Sequence, residues 1–242
     1  MKIVIDEKIP FIRGAFEPWA EVFYYPGSAI DKNIVKDADA IIVRTRTKCN
    51  SRLLEESSVK IVASATIGFD HIDTSWLEAK GIKWVNAPGC NSGSVMQYIM
   101  AALFFLAAKH SLDLRSLILG VVGAGNVGSK VVRAARAVGM TVLQNDPPRE
   151  RREGPAGFVP LEKIVAESDI LTLHVPLNME GTDKTYHLFN DRNLSQLSRS
   201  CILINSSRGE VVDNTALRNA LSAGTLRGAV IDVWEGEPDA DR

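Results

Sequence analysis

Gly123-Ala124-Gly125-Asn126-Val127-Gly128 lies between an apolar run, Leu117–Val122, and an amphipathic run, Val127–Val138. A GxGxxG pattern alone is weak, but between a strand and a helix it constrains the backbone closely. Gly123 permits a tight turn, Gly125 lets the backbone come close to a pyrophosphate, and Gly128 lets helix and strand pack together. A helix start also offers free N–H groups and partial positive charge to phosphates. Asn126 and Val127, inside this turn, count with the glycines as nucleotide-binding positions. The bland alternative is a glycine-rich strand-to-helix turn with no ligand.

Asp146 decides between the two. It follows the next apolar run, Met140–Gln144, and stands 18 residues after Gly128. A dinucleotide fold needs an acid near that spacing to accept the ribose 2′-hydroxyl. A carboxylate there repels a 2′-phosphate, so the expected cofactor is NAD. Arg149, Arg151 and Arg152 lie nearby and keep NADP open as the alternative. The same arginines, beside Glu150 and Glu153, read as a solvated turn.

Two series of short β-rich runs alternate with helical patterns. The first series is Lys2–Ile5, Val22–Tyr25, Ala40–Val43, Lys60–Ala63 and Lys83–Val85, with helices expected around 13–20, 30–36, 51–56 and 74–80. The second is Leu117–Val122, Thr141–Leu143, Ile170–His174, Cys201–Asn205 and Ala229–Asp232, with helices around 127–138, 160–166, 190–197 and 213–223. Strands rich in Val and Ile, each followed by a helix, predict parallel sheets covered on both faces. The fold class is therefore α/β, with two doubly wound domains: a flavodoxin-like substrate domain over 1–93 and a Rossmann domain over 94–242. Their strand ends are expected to face a common cleft. Ser94–His110, apolar almost all round, is expected to be a buried helix at the junction, with Asn91–Ser94 supplying helix-capping chemistry.

Bulk properties exclude several classes of function. The 242 residues carry a net charge of −1, so no basic field suggests nucleic acid or a membrane surface. The longest apolar stretch, Ile99–Ala108, is shorter than the ~20 residues of a bilayer span, and no signal peptide is visible. Cys49, Cys90 and Cys201 form no metal or disulfide spacing, which suits a reducing cytosol. A cytoplasmic protein without a metal site is expected. Cys201 reads as a small buried hydrophobe.

Three downstream segments place polar residues after strands: His174-Val-Pro-Leu177, Asn205-Ser-Ser-Arg208-Gly209-Glu-Val-Val-Asp213 and Asp232-Val-Trp-Glu-Gly-Glu237-Pro238. With the glycine turn, they resemble the D-isomer-specific 2-hydroxyacid dehydrogenase family over essentially the whole chain. Arg208-Gly209 and Glu237-Pro238 are the most specific parts. Arg44-Thr-Arg-Thr47, Ala65-Thr-Ile-Gly-Phe-Asp-His71, Ala87-Pro-Gly-Cys-Asn91 and Asp146-Pro-Pro-Arg149 are similar to the branch acting on a small 4-phosphorylated 2-hydroxy acid in pyridoxal 5′-phosphate biosynthesis. That branch implies a homodimer for the full-length protein.

Oxidising a 2-hydroxy acid requires a hydride acceptor, a carboxylate anchor and a base for the hydroxyl proton. The planar fork of Arg208 suits the anchor and can polarise the 2-oxygen as charge develops. The resemblance makes Glu237, 29 residues later, the partner that orients a catalytic histidine. It implies that Asp232 receives the nicotinamide carboxamide. Ser206, Ser207 and Arg208 would lie along the nicotinamide ribose, and Val175 near the adenosine. Thr45 and Thr66 are implied substrate contacts, with Arg44 and Arg46 as alternatives to Thr45 for a substrate phosphate. Asp213 reads as a helix N-cap.

The family histidine lies shortly after the Glu-Pro motif, whereas this sequence ends at Arg242, and His71, His110, His174 and His187 are poor substitutes. The expectation is a chain that binds NAD and turns over poorly or not at all, as the first part of a longer protein. Two other readings share these residues. One is a family member acting on 3-phosphoglycerate or glycerate, and the other is a non-catalytic NAD-sensing interaction protein.

Overall fold

The computed structural model describes residues 1–236 and contains two compact units, Met1–Cys90 and Asn91–Arg242. The first unit is a five-stranded sheet of β1 (Lys2–Asp6), β2 (Glu21–Tyr25), β3 (Ala40–Val43), β4 (Ile61–Ser64) and β5 (Lys83–Val85). All its pairings are parallel, in the order β2-β1-β3-β4-β5. This is the flavodoxin-like winding expected from the sequence. Val4, Ile41, Val43 and Val62 are fully buried, as a sheet covered on both faces requires.

One face of that sheet packs on α1 (Lys32–Val35), α2 (Ser51–Leu54) and α3 (Thr74–Ala79), through Val35, Leu54 and Leu77. The other face carries Ile3, Ile5 and Ala40 against Ile9, Ile12 and Phe16. The helix expected over 13–20 does not form. Gly14 adopts φ +88°, Pro18 lacks a donor N–H, and the segment folds as successive turns such as Ala15 N–H to Ile12 O. It covers the sheet through side chains without helical backbone.

The second unit contains α4 (Ser92–His110), β6 (Ile118–Val122), α5 (Gly128–Ala137), β7 (Thr141–Asn145), α6 (Pro147–Glu153), α7 (Leu161–Glu167) and β8 (Ile170–Leu173). It continues through α8 (Asp191–Ser195), β9 (Ile202–Asn205), α9 (Asn214–Ser222) and β10 (Gly228–Ile231). The parallel order is β10-β9-β8-β6-β7. The chain therefore reverses direction across the sheet between β6 and β8, the switch point where doubly wound folds bind ligands.

Two local expectations need correction. The solvated turn expected at Arg149–Arg152 is the helix α6, because Asp146 caps it and Pro147 occupies its first turn. On α4, Ile99, Met100, Leu103 and Leu106 are buried in a cluster with Val131, Val132 and Ala135 of α5. Tyr98, Phe104 and Phe105 are exposed, so the helix is buried on one face only. By length and hydropathy Ser92–His110 is long and apolar enough to cross a membrane, but its buried face belongs to the core of this unit. Asn91 occupies the N-cap of α4 without a side-chain cap bond.

Candidate nucleotide and catalytic site

The register of the second sheet brings the site together. Val122 pairs with Asn145 and Leu173, Leu173 with Asn205, and Asn205 with Ile231. The carboxyl ends of all five strands are therefore level. The next residues form one row across the sheet: Asp232, Ser206, His174, Gly123 and Asp146. At a strand spacing of ~4.8 Å the row is about 19 Å long. Four of its five members are residues singled out from sequence, and the fifth, His174, directly precedes Val175.

The three glycines of the turn serve different ends. A Cβ on Gly123 would overlap the His174 carbonyl and lie 2.9 Å from Val175 Cγ1, and Gly123 has φ +87°. A Cβ on Gly128 would overlap the Gly123 carbonyl oxygen. Both close a packed corner that brings Val175 against the turn. Gly125 is exposed and has nothing within 4 Å of a Cβ position. It leaves bare backbone open at the start of α5, where a pyrophosphate needs to approach. The first helical bond runs from Ser129 N–H to Gly125 O. The N–H groups of Asn126, Val127 and Gly128 are thus the orphan donors of the helix start.

Asp146 is joined to this turn. Its Oδ2 accepts the Ala124 N–H at 2.8 Å and its Oδ1 accepts the Arg149 N–H at 3.0 Å. A carboxylate offers about four lone-pair directions, so capacity remains for a ribose hydroxyl. Arg149 Nη1 donates to Ala124 O at 2.5 Å and Ser129 Oγ at 3.1 Å. Both peptide groups of Ala124 are thus held by the β7–α6 segment.

At the end of β9, the Asn205 amide organises the loop. Asn205 Oδ1 accepts from Ser207 N–H at 3.1 Å and Ser207 Oγ at 2.9 Å, while its Nδ2 donates to Arg208 O at 2.9 Å. Arg208 Nη1 donates to Ser207 O at 2.7 Å. The Ser206 hydroxyl is buried and has no hydrogen-bond partner among the described residues. An unpartnered buried hydroxyl is costly, and in this row it fits a ligand group placed over the strand ends. Together with the open Gly125 backbone and Asp146, the donor and acceptor set fits a dinucleotide.

His174 hydrogen-bonds Thr172 Oγ1 at 3.1 Å, and burial pushes its imidazole down to about 4. At neutral pH it is uncharged, so it supplies no cation to the row. Cys49 and Cys201 are buried, and burial raises both thiols to about 12, which removes them as nucleophiles. Cys90 is exposed.

A second constellation escaped the sequence reading. His187, at φ +49°, stacks on Tyr186 with ring centroids 4.0 Å apart. Its Nε2 is 2.5 Å from Glu235 Oε1 and its Nδ1 is 3.7 Å from Asp213 Oδ2. Glu235 Oε2 accepts the Asn214 N–H at 3.1 Å. A Cβ on Gly209 would overlap the Trp234 carbonyl, so the 234–235 backbone lies directly on the Arg208-Gly209 loop. Asp213 also caps α9, as expected, by accepting from Thr215 and Ala216 N–H. No sequence signal joins positions 187, 213 and 235, because only the tertiary path of the chain brings them together. Asp232 is exposed at the end of β10, its N–H bonded to Asn205 O at 3.0 Å. Glu237 lies outside the described residues.

In the first unit, Val43 pairs with Ser64, so Thr45 and Thr66 each stand two residues past the paired ends of β3 and β4. Thr45 is exposed at a turn closed by Thr47 N–H to Arg44 O. Arg44 Nη1 donates to Lys8 O at 3.3 Å. Thr66 Oγ1 donates to Gly68 O at 2.9 Å and lies 2.6 Å from Ser64 Oγ, which lies 3.1 Å from His71 Nε2. With the Thr66 proton committed to Gly68, Ser64 donates to Thr66 and accepts from His71, which places a proton on His71 Nε2.

Comparison with known proteins agrees with this geometry. Residues 101–242 match the family described as D-isomer specific 2-hydroxyacid dehydrogenase, NAD binding domain. The chain is 52% identical over 242 residues to an erythronate-4-phosphate dehydrogenase of Bacteroides fragilis, covering 100% of this chain and 70% of the relative. It is 45% identical over 239 residues to the enzyme of that name from Proteus mirabilis, covering 99% and 64%. A D-lactate dehydrogenase of Aquifex aeolicus, solved with NAD and lactic acid, superposes with TM-score 0.82 at 29% identity, covering 98% of this chain and 78% of that one. NAD is the cofactor, and the chain belongs to the D-isomer-specific 2-hydroxyacid dehydrogenases, NAD-dependent oxidoreductases.

Proposed function

We propose that this protein oxidises 4-phospho-D-erythronate to its 2-oxo acid, the step that feeds pyridoxal 5′-phosphate synthesis. The single observation that carries the chemistry is the level row Asp232–Ser206–His174–Gly123–Asp146, with Arg208 two residues beyond Ser206. The choice of substrate is supported by the names of the relatives at 45–52% identity.

NAD, when bound, supplies the acceptor for the hydride leaving C2. Asp146 grips the adenosine ribose, and the Gly125 backbone and the α5 start hold the pyrophosphate. Asp232 would receive the nicotinamide carboxamide, and Ser206 would lie along the nicotinamide ribose. Arg208 holds the substrate carboxylate with its fork and favours negative charge on the 2-oxygen. The resemblance assigns the hydroxyl proton to a histidine paired with the acid of the Glu237-Pro238 motif. Thr45 and Thr66 are the substrate contacts from the first unit, with Arg44 and Arg46 as candidates for the phosphate. We read the working enzyme as a cytoplasmic homodimer.

The test is a turnover screen of the full-length enzyme with NAD against 4-phosphoerythronate, erythronate, 3-phosphoglycerate and glycerate. The proposal expects the highest kcat/KM for 4-phosphoerythronate. Equal or better turnover of 3-phosphoglycerate or of the unphosphorylated acids rejects the substrate assignment.

A further inference from the structure

Arg149 is a basic group built into the nucleotide turn. Besides its Nη1 bonds to Ala124 O and Ser129 Oγ, its Nε donates to both carboxylate oxygens of Glu153, at 2.9 and 2.8 Å. The two are an i,i+4 pair within α6. Glu153 Oε1 also accepts from Arg152 Nη2 at 2.8 Å. An arginine close to the acidic ribose clamp is the usual means of admitting a 2′-phosphate. Here the Nε edge of that arginine is closed by a carboxylate and Nη1 is spent on the turn.

We propose that Glu153 is a cofactor-specificity residue: by holding Arg149 on the turn and cancelling its charge, it keeps the ribose position selective for NAD over NADP. The inference rests on the reading of Asp146 as the ribose clamp. Asp146 supplies the charge that repels a 2′-phosphate, and Glu153 neutralises the cation that would offset the repulsion. Asp146 fixes the turn from its N–H side and Arg149 from its carbonyl side, so a shift of the guanidinium is felt where the ribose binds. Arg149 and Glu153 are partly exposed, at 31% and 39% of their side chains, so solvent moderates the effect. Partly exposed ion pairs of this kind correspond to at most about a fivefold change in an equilibrium.

The experiment titrates NAD and NADP into the full chain and into Glu153→Gln, Arg149→Gln, the double variant, Glu150→Gln and Asp146→Ala, with thermal melts confirming folding. Glu153→Gln is expected to tighten NADP about twofold to fivefold, with NAD changed much less. That gain disappears in the double variant. Glu150→Gln, which removes the same charge from the same helix, leaves the NADP-to-NAD ratio unchanged. An unchanged ratio in Glu153→Gln overturns the proposal. So does a gain that survives in the double variant or is reproduced by Glu150→Gln, since bulk charge would then be its source. If Asp146→Ala alters neither nucleotide, the clamp reading fails first. If Asp146→Ala responds and Glu153→Gln does not, only the role of Glu153 is lost.

Discussion

The carboxylate of Asp146 accepts the Ala124 N–H at 2.8 Å, which fastens the acid at the end of β7 to the interior of the glycine turn after β6. The ribose-binding acid and the phosphate-binding loop are therefore one preorganised unit. Register makes this possible, because Asn145 pairs with Val122 and the next residue on each strand is Asp146 and Gly123. Preorganisation of this kind lowers the ordering cost of binding.

Gly125→Ala and Gly128→Ala should separate binding from folding. A methyl on Gly128 has no room beside the Gly123 carbonyl oxygen, and such overpacking costs about 1–3 kcal/mol. Gly128→Ala should therefore lower the urea midpoint. Gly125 has open space around its Cβ position, so Gly125→Ala should keep the wild-type midpoint and weaken NAD. Equal stability losses in both variants would contradict the division of roles.

His174 makes stability depend on pH. Its folded-state value is about 4, against 6.5 for an ordinary histidine. As pH falls from 6.5 towards 4 the unfolded chain takes up a proton that the folded chain refuses, so stability is lost on acidification across that window. The upper limit of the loss is about 3 kcal/mol. In His174→Gln this component should be missing. The check is the difference in denaturant midpoint between variant and wild type from pH 7 to 4, which should change in favour of the variant. A difference that stays constant with pH rules out the assignment.

Arg208→Lys in the full-length enzyme should lose most of kcat/KM, about a hundredfold or more, since a point charge cannot replace a bidentate fork. The protein should still bind NAD. Near wild-type turnover would remove Arg208 from the anchor role.

Glu235→Gln should preserve the acceptance of the Asn214 N–H and lose the carboxylate contact to His187 Nε2. Glu235→Ala should lose both, at a cost of about 1–3 kcal/mol. Hydrogen exchange at Asn214 should then be faster in Glu235→Ala than in Glu235→Gln. Identical exchange in the two would show that the carboxylate does not pin the segment.

The strands, the doubly wound fold class and the nucleotide turn were legible because local chemistry specifies them. Runs such as Cys201–Ile204 are apolar throughout, and the three glycines occupy positions that tolerate no side chain or need none. Asp146 was legible from spacing alone. The 13–20 segment misled because its apolar residues do cover the sheet, while Gly14 and Pro18 oppose helical backbone. Helix α6 was missed because its charged residues hid the cap at Asp146 and the proline start. The His187–Glu235–Asp213 cluster and the burial of the Ser206 hydroxyl without a partner among the described residues depend on tertiary placement, which no local pattern encodes.

The most direct test is a calorimetric titration of NAD and NADP into the wild-type chain and Asp146→Ala. Wild type should bind NAD and strongly prefer it over NADP. Asp146→Ala should weaken NAD about tenfold, in keeping with charge-assisted hydrogen bonds of about 1.5–3 kcal/mol, and narrow the preference over NADP. Unchanged affinities for both nucleotides in a folded Asp146→Ala would contradict the account.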